Sequence, residues 1–145
     1  MAAISVSTVR TRIAAGVTAI GGWRESRWAF GLFGRDTEHV VAQSFAVGVE
    51  ETQMHPSPGR RVVRSEGALV VTTVTVTWAS RLRADAQVAD YGAALDAEAA
   101  LIVGVLAVSL ADLHLEYLDS WRSTSTEGYL MGTVRFAAMH ALALQ

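Results

Sequence analysis

The chain has 145 residues, no cysteine, a formal net charge of −2 and 51% hydrophobic residues. That is the size of one domain with a sizeable core, and the expectation is a single domain over residues 1–145. The same figures exclude disulfide and thiolate chemistry, disorder, and any general attraction to nucleic acid or anionic membrane. No uninterrupted apolar run approaches the roughly 20 residues of a membrane-spanning helix, and the amino terminus lacks a secretion-signal pattern, so a soluble protein of the cytosol is expected.

In chain order, Val6, Val9, Ile13, Val17 and Ile20 share one stripe at helical spacing, with Ser5 as N-cap and Gly21-Gly22 as the stop, which predicts a helix from about Ser5 to Ile20. Arg10 and Arg12 on it are expected in water. The segment from Gly22 to Asp36 has no clean period and gathers Trp23, Trp28, Phe30 and Phe33 among glycines and charges. These aromatics either close one end of the core or meet a neighbouring subunit, where such residues are enriched. From His39 to Val49, Val41, Phe45, Val47 and Val49 alternate with Val40, Ala42, Ser44 and Ala46, predicting a strand. The stretch from Glu50 to Gly67, with Pro56, Pro58 and Gly59 near its middle, then reads as the protruding tip of a long hairpin.

The best-patterned stretch runs from Ala68 to Leu106. Val70, Val74, Val76 and Trp78 fall on one face of a strand, and Val71, Thr73, Thr75 and Thr77 on the other. A threonine face of this kind is neither wet nor dry and often packs on another protein. After Arg81-Leu82-Arg83 the period changes, and Val88, Tyr91, Leu95, Ala99, Ile102 and Leu106 predict a long helix lying on the sheet through that stripe. Alternation returns weakly from Leu113 to Trp121, a polar turn covers 123–128, and a last strand runs from Tyr129 to about Leu142. The fold class predicted is α+β: a four-stranded, mainly antiparallel sheet, two helices packed on one face, and a long protruding β-hairpin loop.

Chemistry is sparse. His39, His55, His114 and His140 are scattered without helical pairing, so they read as surface or sheet-edge histidines and no metal site is expected. Asp85, Asp90, Asp96 and Glu98 read as the solvated start and flank of the second helix, where negative charge is favoured. Serines and glycines occur without a nucleophile elbow or a phosphate-binding loop. Arg60, Arg61 and Arg64 after the proline tip suit phosphate or an acidic partner but also a solvated loop. Neither a catalytic centre nor a cofactor is expected.

Several strings resemble the tail terminator (tail completion) proteins of long-tailed bacteriophages and gene transfer agents. These are His39-Val40-Val41-Ala42-Gln43-Ser44-Phe45-Ala46-Val47, then Arg81-Leu82-Arg83-Ala84-Asp85 through Asp90-Tyr91 into Ala94-Leu95-Asp96-Ala97-Glu98, and the closing strand from Gly128-Tyr129 to Arg135-Phe136. The resemblance implies a structural, non-enzymatic virion protein that forms a homohexameric ring at the head-proximal end of the tail tube. There it would end polymerisation and offer a surface for head–tail joining. Its partners would be other copies of itself, the major tail tube protein and a head-completion or connector protein. No membrane and no sequence-specific nucleic acid are involved, although the genome would pass through the ring. Candidate subunit or tube contacts are Trp23, Trp28, Phe30 and Phe33, with Pro56, Pro58, Arg60, Arg61 and Arg64 of the hairpin tip. Another neck protein of the same size, or a small ligand-binding domain or enzyme using the acidic helix start, are the competing readings.

Overall fold

The alternation over 68–78 is realised as a 13-residue strand in the middle of the sheet. The computed structural model describes residues 2–26, 43–54, 67–124 and 128–143. In chain order these form β1 (Ala3–Ile4), α1 (Val6–Ile20), β2 (Arg24–Glu25), β3 (Ser44–Met54), β4 (Leu69–Arg81), α2 (Gln87–Leu106), β5 (His114–Thr124) and β6 (Tyr129–Leu142). The architecture is α+β, with two helices and a six-strand, mixed, strongly curled sheet.

Two strands were thus missing from the four predicted. β1 runs parallel to β6 at Ala141 and Leu142, and β2 runs parallel to β3 at Ser44 and Phe45. Two-residue strands leave no readable period. The four long strands are antiparallel neighbours in the order β3, β4, β6, β5, so the chain leaves α2 for the far edge and returns to the middle as β6. β3 and β5 each carry an irregularity, between Val49 and Glu51 and between Tyr117 and Asp119. The strand predicted from His39 begins, within the described residues, at Ser44 and continues to Met54, so Glu50 to Met54 are ladder and not loop.

Ser5 starts α1 as predicted, its hydroxyl accepting the Thr8 amide at 3.2 Å, and Gly21 ends it at φ 83°, where a side chain would be strained. Val9, Ile13 and Val17 are buried. Arg10 and Arg12 are not simply in water. Arg10 Nε donates to the Val47 carbonyl at 2.9 Å, and Arg12 makes a two-pronged ion pair with Asp112 at 2.8 and 2.9 Å. Long apolar stems let both heads reach over neighbouring elements.

The core joins Val9, Ile13 and Val17 of α1 and Leu101 and Val105 of α2 to one face of the sheet, including Phe45, Val47, Val74, Val76, Trp78, Val134 and Phe136. The second helix lies differently from its predicted stripe. Ala94, Glu98, Leu101 and Val105 point inward, whereas Val88 is 90% exposed and Tyr91 and Ala99 are also exposed. The buried stripe is displaced by about one residue step, roughly 100° round the helix. Apolar residues lie on several sides of α2, and the charge on Glu98 steers a periodicity reading away from the face that is buried.

His140 is a second correction: it is fully buried, not at the surface. Its Nδ1 lies 3.2 Å from the Ala141 carbonyl, which only accepts, so Nδ1 carries the proton and Nε2 accepts from the Thr72 hydroxyl at 2.8 Å. Thr72, in turn, lies 3.2 Å from Thr52 Oγ1. This chain accounts for the one hydroxyl that interrupts Val70, Val74, Val76 and Trp78 on the buried face.

The start of α2 is held electrostatically. Ala86 supplies no side-chain cap, and Asp90 in the first turn accepts from the Arg83 guanidinium at 3.0 Å through each oxygen and from the Arg83 amide at 2.8 Å. The guanidinium hydrogen bonds first, and the amide second, lower the Asp90 pKa from the ordinary 3.8 to about 2. Asp112 beside Arg12 and Asp119 beside Arg135 are lowered in the same way. A carboxylate with a depressed folded value contributes stability above its unfolded value and loses it as pH falls through the folded one. Asp90→Asn should therefore be less stable than the parent near neutral pH, with the gap closing between pH 3.8 and about 2, as followed by urea midpoints across that range. A gap that stays constant with pH would show that the ion pair does not hold the helix start.

Candidate interaction surface

The sheet face that carries the core has a row of partners across it. Phe45 of β3, Trp78 of β4, Gly132 of β6 and Arg122 of β5 are in register across the four long strands. Above this row sits Glu98 of α2, 2% exposed, accepting from Trp78 Nε1–H at 2.9 Å and from the Arg122 guanidinium. Trp23 stands edge-on to Trp78 with ring centroids 6.1 Å apart. Gly132 is what allows this: a Cβ added there would fall inside the Trp78 indole. The expectation of a solvated Glu98 is therefore overturned, because the tryptophan N–H and the arginine together replace its water. No local sequence pattern places residues 78, 98, 122 and 132 together.

The other sheet face has its own charged centre. Arg135 of β6 grips Asp119 of β5 at 2.8 and 2.6 Å, and it reaches across β4 to Glu50 of β3 at 3.7 Å. Trp121 lies under its guanidinium, 5.8 Å from ring centroid to Cζ. The Asp119 and Glu50 carboxylates hold the Arg135 pKa above its ordinary value. Around this centre Val71, Thr73, Thr75 and Thr77 are half-buried, as the alternation predicted.

β5 forms an edge. Among the described residues it pairs with β6 alone, yet Tyr117, Leu118 and Trp121 on it are 43%, 45% and 51% exposed. Tyr117 rests edge-on against Phe136, and its hydroxyl lies 2.9 Å from Ser120 Oγ. Large apolar side chains exposed on an edge strand are a feature common to surfaces that pair with another chain. The weak alternation of 113–121 indicated a strand but gave no sign that it would lie outermost.

Of the residues singled out from the sequence, Trp23 is buried in the chain's own core. Trp28, Phe30 and Phe33, and Pro56, Pro58, Arg60, Arg61 and Arg64 of the hairpin tip, lie outside the described residues, as do His39 and His55. His114 is exposed beside Glu116, and Asp85 and Asp96 are exposed. Two open grooves flank α1. One, of about 480 Å³, is lined by Arg10, Thr11, Ala14, Ala15, Thr18, Ala19 and Glu25. The other, of about 340 Å³, lies where Gly16 of α1 meets Gly104 of α2. Among the described residues no three acidic or histidine side chains converge as metal ligands, and no helix is long and apolar enough to cross a membrane. No protein-family model matches the chain, and no curated protein sequence matches it.

Proposed function

We propose that the chain is a structural, non-enzymatic component of a phage-like tail: a terminator whose copies form a six-membered ring on the head-proximal end of the tail tube. The observation that carries this reading is the open β5 edge with its exposed Tyr117, Leu118 and Trp121, a surface suited to assembly. The sequence resemblance supplies the partners, namely the major tail tube protein below and a head-completion or connector protein above, with the genome passing through. In this reading the four long strands form the working sheet and both helices cover one face of it. A ring needs only that the contact be heterologous and its rotation close. Ending polymerisation then requires that the ring present its tube-binding surface on one side alone.

Native mass spectrometry over a concentration series, followed by negative-stain imaging with tail tubes, tests this. Six copies of 15.5 kDa should give a closed species of about 93 kDa that decorates one end of each tube. A ring of that mass bound to the connector but not to tubes would point to a different neck protein. A chain indifferent to tubes at every concentration would overturn the reading, and the groove beside Arg10 and Glu25, of a size that suits a small ligand, would become the place to look.

A further inference from the structure

On the side opposite β5, most of β3 also lacks an outer strand among the described residues. Along the outer side of β3, the Phe45 carbonyl accepts from the Ser26 amide at 2.7 Å and the Val47 carbonyl accepts from Arg10 Nε. From Val49 to Met54, among the described residues, no strand lies alongside. On β5 the Leu115 amide is taken by Ser109 Oγ at 3.0 Å, and the stretch from Glu116 to Thr124 is open. Among the described residues, then, a ladder of backbone donors and acceptors at each end of the row of long strands has no strand alongside it.

We infer that copies of this chain join by continuing the sheet, with β5 of one copy pairing antiparallel to the Val49–Met54 stretch of β3 in the next. This rests on the ring reading for its closure. The occupant is a second copy because one contact then pairs both edges at once, and strand direction permits it. The four long strands alternate strictly, so β3 and β5 run in opposite senses. A rotation about an axis along the strands keeps every direction, so β3 of the next copy arrives antiparallel to β5 and the alternation continues unbroken. An odd number of long strands would have forced a parallel junction. Pairing satisfies the open amides and carbonyls of both edges and covers Tyr117, Leu118 and Trp121, which water now wets. A two-fold β5–β5 contact would also be antiparallel, but it closes as a dimer and leaves both β3 edges open.

Because the chain has no cysteine, single thiols report the junction cleanly. Gln53→Cys and Glu51→Cys mark β3, and Ser123→Cys and Glu116→Cys mark β5; all four positions are exposed. Each β3 variant, each β5 variant and each β3–β5 mixture is treated with a short bifunctional maleimide. Cross-links are expected only in mixtures. Leu118→Asp should weaken association roughly tenfold or more, by placing a charge in the junction, while the melting temperature of the dissociated chain stays unchanged. Cross-linking of Ser123→Cys alone at the yield of the mixture, or assembly without any β3–β5 cross-link, or a monomer at every concentration, overturns the inference. Rings that cap tubes without these cross-links would leave the terminator reading standing, whereas cross-linked assemblies that ignore tubes would sink that reading and keep the junction.

Discussion

Gly132→Ala should be strongly damaging for a single methyl group, destabilising the chain by about 2–6 kcal/mol. A side chain at 132 points into the space occupied by the Trp78 indole, which is fully buried between Phe45, Trp23 and α2 and has nowhere to retreat. Two terms add. Overpacking in a dense core costs about 1–3 kcal/mol, and moving the indole withdraws its N–H from Glu98, leaving a buried carboxylate oxygen unsatisfied at a similar cost. For a chain of this size the melting temperature should fall by roughly 7–20 °C. Trp78→Phe in the Gly132→Ala background should recover part of the loss, since the smaller ring makes room although it restores no hydrogen bond. A Gly132→Ala variant that melts within about 2 °C of the parent would mean that the indole shifts freely.

Arg122→Ala should cost about 2–4 kcal/mol, far more than its place on an edge strand suggests. An exposed arginine pair contributes about 0.2–1 kcal/mol, because water screens it and side-chain entropy opposes it. Arg122 differs in its partner. Glu98 is 2% exposed, and the guanidinium is its only cationic contact among the described residues. The side chain of Arg122 is itself 35% exposed, which keeps the estimate below that for a fully buried pair. A double-mutant cycle separates the causes: Glu98→Gln should make Arg122→Ala markedly less harmful, because an amide tolerates burial without a cation. Equal effects of Arg122→Ala in both backgrounds, measured by urea denaturation, would show that the arginine acts only by packing.

These residues also mark the boundary of what the sequence discloses. Periodicity located the two helices and the four long strands, because each buries one face and the repeat of 3.6 or 2 survives in the apolar positions. Ser5 and Gly21 marked the ends of α1 through backbone chemistry that is local by nature. The threonine face of β4 was legible for the same reason.

What the tertiary structure decided is which surfaces meet. The stripe read on α2 was about one residue step off, because an apolar count rejects Glu98, whereas folding buries it by supplying Trp78 and Arg122 from strands 20 and 24 residues away. His140 looked like a surface residue until Thr72 stood beside it from 68 positions earlier. The order β3, β4, β6, β5 makes the weakest of the four patterns an open edge, and strand order depends on how the chain returns after a helix, which no local repeat encodes. Composition and period determined that the protein has a core, two helices and alternating strands. Only the folded sheet exposed Tyr117, Leu118 and Trp121 on a strand that, among the described residues, has no outer neighbour, which is the surface the proposed assembly rests on.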